Sequence, residues 1–392
     1  MLNSTLSNSP YLPKNVNLKQ SKLRQVFERA PADAVNLAIG QPGEDTPLFI
    51  REAAKRAAME APLGYTVNAG ILSLREKLAS EFSFSVSPTQ ICLTTGVQEA
   101  LFACLYILCD DNSGDILLPN PGFVAYPAQA GLLNVKPRYY NLSAEDNFRF
   151  SADAVLSELR PETRGILLAH PSNPTGSDAT YPELRKLIDG LKARKDAPVW
   201  IIADEVYYGM SYSDSAASLE SFFEEYPYII LLRGASKSHH MTGWRLAWAV
   251  LPEVLVKPFI AIHQYLCTCV SAITQYSFDY IRGSQAEKDW LIYQNQLYKS
   301  KRDMVHQHLS PDLHLLGGEG AFYWMIDVKP WSIDGKNDES ICWDMMDKAR
   351  VTTAPGSAFG SSTNGYLRLS YGPPKEQLEK GLIQLKNYFK EL

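Results

Sequence analysis

Three apolar runs in this chain are followed by side chains that can do chemistry. The run RGILLAH leads to Asn173, APVWIIA leads to Asp204 and Tyr207, and YIILLR leads to Lys237, with Arg245 shortly beyond. A lysine amine can attack a carbonyl group, a carboxylate can hold a protonated ring nitrogen, and an arginine can bind a phosphate or a carboxylate. Each residue alone is commonly an ordinary solvated or structural group. Their shared position after apolar runs is what indicates a site.

The elements that must position these residues are buried strands. The runs QICLTT, GDILLP, RGILLAH, APVWIIAD, YIILLR and RLAWAVLP are short and continuously apolar, which is typical of strands buried on both faces. Amphipathic stretches such as VQEALFACLYILC and YPELRKLIDGLKAR lie between them and have the length of helices. The alternation predicts an α/β fold, with a three-layer large domain around a mostly parallel sheet. Ligands of such sheets bind beyond the carboxyl ends of the strands.

The length of 392 residues favours more than one domain. After a helical region over residues 252–310, the pattern changes to GAFYWMIDV, ARVTTAP and GYLRLSYG, which is typical of an α+β unit. We predict a large domain over residues 46–285 and a smaller C-terminal α+β domain over residues 286–392. An N-terminal arm over residues 1–45 is expected to pack on the small domain.

Composition and charge exclude several classes of function. A net charge of −5 without a basic block argues against nucleic-acid binding, and a regulator with a DNA-binding head is disfavoured because only a short arm precedes the catalytic region. The chain has no signal-peptide pattern and no apolar run of membrane-spanning length, so we expect no membrane partner and a cytoplasmic location. The six cysteines and seven histidines lack ligand spacing, which predicts reduced thiols and no metal.

The strings HPSNPTG, ADEVYYGM and GASKSHHMTGWR, in this order, resemble the class I and II aminotransferases, which are fold type I pyridoxal-phosphate enzymes. The resemblance covers nearly the whole chain. It implies pyridoxal 5'-phosphate as the cofactor, an amino acid as the substrate, and a homodimer with shared active sites. Pyridoxal chemistry needs an amine for the aldehyde, an acid at the ring nitrogen, donors to the phenolic oxygen and a phosphate site.

The resemblance assigns the reacting groups. Lys237 would form the Schiff base with the cofactor and, once displaced by substrate, would move the proton at the substrate α-carbon. Asp204 would pair with the pyridine nitrogen. Tyr207 and Asn173 would donate to the phenolic oxygen, and Asn173 would also contact the substrate.

The phosphate site implied by the resemblance joins two segments of the chain. Arg245 and Ser236 lie on one segment, and the amides of Gly96, Val97 and Gln98 lie where QICLTT ends and a helix begins. A helix N-terminus favours an anion through its exposed N–H groups and its dipole.

Four further residues complete the implied site. Phe123 in NPGFVAY would lie flat against the cofactor ring, and Tyr65 in GYT would reach the phosphate in the neighbouring subunit. Arg368 in YLRLSYG would clamp the substrate α-carboxylate with its planar fork, which a lysine cannot do. Gly40 in IGQP would place its backbone over the substrate.

Departures from the family pattern bear on the substrate. Gln98 stands where relatives specific for dicarboxylates carry a basic residue, so aspartate and glutamate are disfavoured as donors. Glu44 in IGQPGEDTP suggests a cationic substrate side chain, and His239 or His240 could be an added acid or base, although a structural role is the commoner one.

Transfer of the amino group from an amino acid with a basic or neutral side chain to a 2-oxo acid is therefore the expected reaction. The alternative is elimination or cyclisation of a hydroxylated amino acid such as hydroxyarginine, as in capreomycidine-synthase-like enzymes. The same cofactor chemistry serves both reactions, and fold alone does not decide between them.

Overall fold

The computed structural model describes residues 20–109, 114–333 and 335–392. Its strands, numbered in chain order, are β1 Val35–Asn36, β2 Ile91–Thr94, β3 Asp115–Asn120, β4 Lys136–Asn141, β5 Thr163–Ala169, β6 Trp200–Asp204, β7 Ile229–Gly234, β8 Ala247–Val250, β9 Leu315–Gly317, β10 Tyr323–Asp327, β11 Val351–Thr352, β12 Ala354–Pro355 and β13 Tyr366–Ser370. Its α-helices are α1 Lys22–Arg29, α2 Leu48–Glu60, α3 Leu72–Ala79, α4 Val97–Leu108, α5 Ala125–Leu132, α6 Ala152–Leu156, α7 Tyr181–Lys192, α8 Ala235–Ser238, α9 Glu253–Cys267, α10 Ala272–Ile281, α11 Gln285–Leu309, α12 Asp338–Ala349 and α13 Lys375–Glu391.

A seven-stranded sheet with the order β2-β8-β7-β6-β5-β3-β4 forms the centre of the molecule. Strands β7, β6, β5, β3 and β4 run parallel to one another, and β8 is antiparallel to both of its neighbours. The prediction of an α/β fold with a mostly parallel sheet is confirmed. All six apolar runs form strands of this sheet.

Helices cover both faces of the sheet. The evidence is that successive residues of one strand pack in different apolar cores. Ile166 and Leu168 of β5 pack in one core, which includes Leu184 of α7. Leu167 between them packs in a second core on the opposite face, together with Leu101 of α4. The side-chain period of two in a strand produces this division, and it explains why the runs are continuously apolar.

A four-stranded antiparallel sheet, β12-β13-β10-β9, belongs to a third apolar core near the C-terminus. Val26 and Leu37 from the described part of the predicted arm pack in this core with Leu369 of β13. Strand β1 also pairs in parallel with β11. The domain bounds at residues 45 and 285 stay a prediction. None of the helices in the described residues is both long enough and apolar enough to cross a membrane.

Candidate active site

A cavity of about 560 Å³ opens between the carboxyl ends of the parallel strands and the smaller sheet. It brings together most of the residues that the sequence singled out, although these lie on segments far apart in the chain. The predicted residues that line it are Gly40, Val97, Gln98, Phe123, Asn173, Asp204, Tyr207, Ser236, Lys237, Arg245 and Arg368.

Lys237 follows β7 on the short helix α8, which aims its side chain into the cavity. Its Nζ donates a hydrogen bond to the carbonyl oxygen of Gly40 at 2.6 Å. Burial, followed by the positive charges of Arg368 and Arg245, lowers the pKa of Lys237 to about 8. The amine is therefore roughly a tenth unprotonated at pH 7, several hundred times more than an ordinary lysine, and this unprotonated form is the one that acts as a nucleophile or a proton acceptor.

Asp204, the last residue of β6, is a buried acid without a cationic partner. Its Oδ2 accepts a hydrogen bond from the Tyr126 hydroxyl at 2.8 Å, and its Oδ1 accepts one from the amide of Val206 at 3.2 Å. Burial raises the pKa of Asp204 above its usual value. The charge of Lys237 acts against this rise, but no lysine, arginine or histidine in the described ranges forms an ion pair with the Asp204 carboxylate. A protonated ring nitrogen would supply the missing charge.

Arg368 on β13 is a buried cation that lacks an acidic partner. The side chain is 2% exposed, and burial lowers its pKa. Nη1 donates to Asn173 Oδ1 at 2.7 Å and Nη2 donates to the carbonyl oxygen of Ala38, whereas Nε has no partner. Within the described part of the chain no aspartate or glutamate pairs with it. The site therefore fits an anionic ligand such as a carboxylate.

The Tyr207 hydroxyl lies 2.5 Å from the Tyr323 hydroxyl. Burial raises the pKa of both groups, so both keep their protons. One proton is used in the bond between them, and the other is free to be donated to a ligand oxygen. The pair can therefore perform the role that the resemblance gave to Tyr207 alone.

The start of α4 forms a site suited to an anion. Gly96 precedes the helix with φ of +102°, and no side chain caps the first turn. A Cβ at Gly96 would collide with the guanidinium of Arg245. Arg245 is held there by donating to the carbonyl oxygens of Thr95 at 3.0 Å and Thr242 at 3.1 Å. Open backbone amides and an arginine in one place are a typical phosphate site.

Three predicted residues lie outside the lining of the cavity. Gly96 lies behind Arg245, and Tyr65 is 90% exposed on the surface. Glu44 forms an ion pair with the buried Lys301 and accepts a hydrogen bond from the Tyr298 hydroxyl at 3.4 Å. Because the carboxylate already has a cationic partner, the structure gives Glu44 a different role from the predicted contact with a substrate side chain.

The two histidines beyond Lys237 are structural contacts. His239 Nε2 lies 2.9 Å from Glu287 Oε1, and burial lowers the pKa of His239. His240 packs edge-on against Trp290, with ring centroids 5.0 Å apart. Neither residue lines the cavity, and a structural role for both stays a prediction.

Two residues that sequence reasoning missed orient the predicted ones. Tyr126 holds Asp204, and it lies three residues after Phe123, where a turn that leads into α5 packs the two rings edge to face with centroids 5.7 Å apart. Tyr323 holds Tyr207, and it stacks on Arg368, whose guanidinium carbon is 4.6 Å from the ring centroid. The spacing from Phe123 could have identified Tyr126. Tyr323 had no signal, because the run GAFYWMIDV is typical of an ordinary buried strand.

Pyridoxal 5'-phosphate fits this set of groups. The lysine matches its aldehyde, the unpaired acid matches its ring nitrogen, the tyrosine pair matches its phenolic oxygen, and the open helix start with Arg245 matches its phosphate. Phe123, partly buried at the cavity wall, supplies a ring surface for the cofactor.

Comparisons with known proteins agree with this chemistry. The family model for aminotransferase class I and II matches residues 32–385. The chain is 32% identical over 385 residues to aromatic-amino-acid aminotransferase 2 of Thermococcus litoralis, covering 95% of this chain and 96% of that protein. It is 31% identical over 386 residues to an aspartate aminotransferase of Pyrococcus horikoshii, covering 94% of each.

A solved structure of a single mutant of Thermus thermophilus aspartate aminotransferase superposes with a TM-score of 0.87 at 26% identity, over 96% of this chain and 99% of that one. The large parallel sheet and the smaller sheet are therefore the fold type I arrangement. With matches of this length in sequence and in structure, the chain belongs to the class I and II aminotransferases, enzymes that depend on pyridoxal 5'-phosphate.

Proposed function

We propose that this enzyme transfers the amino group of an amino acid with an apolar or aromatic side chain to a 2-oxo acid. The observation that carries the proposal is the cavity wall around Arg368 and Lys237, which is mostly apolar. Apart from Phe123, its members that could meet a substrate side chain are Leu23, Phe27, Val97, Leu101 and Val124. An apolar wall favours a donor with an apolar side chain, because moving apolar surface out of water is favourable in free energy.

Dicarboxylate donors are disfavoured because, among the described residues that line the cavity, the one arginine not assigned to the cofactor or to the α-carboxylate already pairs with a glutamate. Gln98 occupies the place of a basic residue in relatives specific for dicarboxylates. Arg24 also lines the cavity, but its Nε is bonded to Glu28 at 2.8 Å. Basic donors are not favoured either, since Glu44 is neutralised by Lys301. Of the three proteins compared above, one is named for aromatic amino acids and two for aspartate. Their names do not single out a donor, so the proposal rests on the residues that line the cavity.

Each polar group of the site then has one task. The bound cofactor supplies an aldehyde for the amino group and a protonated ring that accepts the electrons of the α-carbon bond. Arg368 orients the α-carboxylate, and the Lys237 amine takes the α-proton and returns it to the product. Asp204 keeps the ring nitrogen protonated, and Asn173 and the Tyr207–Tyr323 pair donate to the phenolic oxygen.

Elimination or cyclisation of a hydroxylated amino acid has no support from these contacts. That alternative was motivated by Glu44, His239 and His240, whose side chains interact elsewhere. Transamination needs only the groups that do line the cavity.

A homodimer with shared active sites is part of the proposal. Tyr65 is 90% exposed, and Met59, Val67 and Tyr265 are also exposed apolar side chains. Asn68 Nδ2 donates to the carbonyl oxygen of Thr268 at 2.8 Å, so the segments that carry these residues lie side by side. Exposed apolar side chains on adjoining segments support a subunit interface. The cytoplasmic location stays a prediction from the sequence.

Donor selectivity tests the proposal. We expect kcat/KM for phenylalanine or leucine to exceed that for aspartate by at least about tenfold, or 1.4 kcal/mol in transition-state binding. Gln98→Lys should raise kcat/KM for aspartate, because it restores a cation, and should leave leucine nearly unchanged. A wild-type enzyme that prefers aspartate over both would refute the proposed selectivity.

A further inference from the structure

A second cluster of chemically active side chains lies outside the cavity lining, where α4 and α9 meet. Glu99 is in the first turn of α4, and His263 and Cys267 lie one turn apart on the same face of α9. His263 Nδ1 is 2.6 Å from Glu99 Oε1, and Cys267 Sγ is 3.4 Å from the same oxygen and 3.6 Å from His263 Nδ1. We propose that Glu99, His263 and Cys267 bind a divalent metal ion of the zinc class.

The kinds of ligand decide which ion fits. A thiolate, an imidazole and a carboxylate together suit Zn²⁺, whereas Mg²⁺ and Ca²⁺ prefer sites made of oxygen alone. Three protein ligands leave the fourth tetrahedral position for water. Across residues 20–109, 114–333 and 335–392, no other three histidine, cysteine, aspartate or glutamate side chains bring their donor atoms within 4.8 Å of one another.

The spacing of the donor atoms is close to that of a tetrahedral site. Ordinary zinc bond lengths of about 2.0 to 2.3 Å place a sulfur about 3.6 Å from a nitrogen and about 3.5 Å from an oxygen. Both sulfur distances in the cluster, 3.6 Å to His263 Nδ1 and 3.4 Å to Glu99 Oε1, match as they are. Only the 2.6 Å between nitrogen and oxygen must open, to about 3.3 Å. The ion would replace the proton that now links these two atoms.

The surroundings allow an ion to enter without disturbing the active site. His263 is buried, and Cys267 is partly exposed and offers a route from solvent. Glu99 uses its other oxygen, Oε2, to accept from the Thr95 amide at 2.6 Å. The carbonyl oxygen of Thr95 accepts from Arg245 at 3.0 Å. Because a metal needs only Oε1, the start of α4 and the position of Arg245 are retained in the holoenzyme.

The sequence predicted no metal, and the reason for the difference is specific. The sequence argument looked for ligand spacing among the cysteines and the histidines separately, and it treated every cysteine as a reduced thiol. A histidine and a cysteine four residues apart become a candidate pair only when a third ligand faces them. Glu99 is distant in the sequence, and folding brings it there.

Cobalt is a suitable probe, because its visible bands report both geometry and sulfur ligation. Tag-free holoenzyme, kept reduced, cleared of metals and free of amino acids, is titrated with Co²⁺ and then with Zn²⁺. We expect one Co²⁺ per chain, with tetrahedral d–d bands and a sulfur-to-cobalt charge-transfer band, displaced by Zn²⁺. Cys267→Ser should abolish the charge-transfer band and weaken Co²⁺ binding at least about tenfold. Replacing a residue that only hydrogen-bonds to a metal ligand already weakens metal binding about tenfold, and Cys267 would be a ligand itself.

Cys269→Ser is the matched control, because this thiol is also partly exposed and lies outside the cluster. It should keep both bands. His263→Gln is a second variant that should lose binding even if Cys267→Ser folds poorly, and the cofactor spectrum and Tm of each variant show whether it is folded. Failure of the wild-type holoenzyme to bind Co²⁺, or bands that persist in folded Cys267→Ser, would overturn the proposal.

Discussion

At the scale of single residues, the site is a set of buried charges without their counterparts. Among the residues described, no acid pairs with Arg368 and no cation forms an ion pair with Asp204, although the charge of Lys237 acts on it. A buried charge costs several kcal/mol unless it is paired, so such groups persist where a ligand completes them. These two charges have opposite signs and lie in one cavity. Arg368 matches the negative carboxylate of the amino acid, and Asp204 matches the positive ring nitrogen of the cofactor.

Arg368→Lys tests the carboxylate clamp. A lysine keeps the charge but loses the two parallel hydrogen bonds, so kcat/KM for the amino acid should fall by about 2 to 3 kcal/mol, roughly 30- to 150-fold. The slow reaction with the corresponding amine, which lacks a carboxylate, should hardly change. Equal losses with both substrates would mean that Arg368 supports the fold rather than the carboxylate.

The depressed pKa of Lys237 gives a pH dependence with a definite sign. The amine reacts only when unprotonated, so cofactor uptake by the apoprotein should become faster as pH rises and should level off above the pKa. The midpoint should lie near 8 instead of 10.5. Stopped-flow absorbance across a pH series measures it, and a rate that still rises steeply above pH 10 would contradict the burial of this amine.

At the scale of elements, the helix α4 depends on the glycine before it. Gly96→Ala places a side chain at φ of +102° and against Arg245. Strain of about 1 to 3 kcal/mol, together with a displaced arginine, should weaken pyridoxal 5'-phosphate binding at least about tenfold. Fluorescence titration of the apoprotein gives the Kd.

Gly131→Ala is the control for this substitution, because a Cβ there meets nothing within 4 Å and its φ is ordinary. It should leave the Kd unchanged. An unaltered Kd in Gly96→Ala would show that the start of α4 does not hold the phosphate.

The main elements were predictable from sequence, and the exceptions have physical causes. Strand β4 was missed because its residues Lys136–Asn141 form an edge strand that is largely exposed, without a continuous apolar run. The region over residues 252–310 contains three helices, and Ser284 caps the last of them by accepting a hydrogen bond from the Glu287 amide.

Motif residues such as Asn173 and Asp204 were identifiable because they follow buried strands, and the structure brings them into one cavity. Glu44 could not be interpreted, since its partner Lys301 is on a helix far along the chain. Contacts between distant segments are the part that one sequence does not determine.

At the scale of the whole molecule, the proposed homodimer with shared active sites makes a prediction about mixed subunits. Lys237→Ala should be inactive and Tyr65→Ala should be impaired. In a mixed dimer one site carries both changes and the other carries neither, so co-refolding the two variants should give more activity than the sum of the separate proteins. Activity that never exceeds this sum would place Tyr65 and Lys237 in the same subunit's site or would exclude a dimer.

The central claim is that an amino group passes from an amino acid to a 2-oxo acid by way of the cofactor, with Lys237 as the group that binds the cofactor and moves the α-proton. Its most direct test is to incubate the holoenzyme with ¹⁵N-labelled phenylalanine and a panel of 2-oxo acids and to follow the label by mass spectrometry. We predict that ¹⁵N appears in the amino acid formed from one of the 2-oxo acids, and that Lys237→Ala abolishes the transfer. Release of the label as ammonium, with no labelled amino acid formed, would contradict the account.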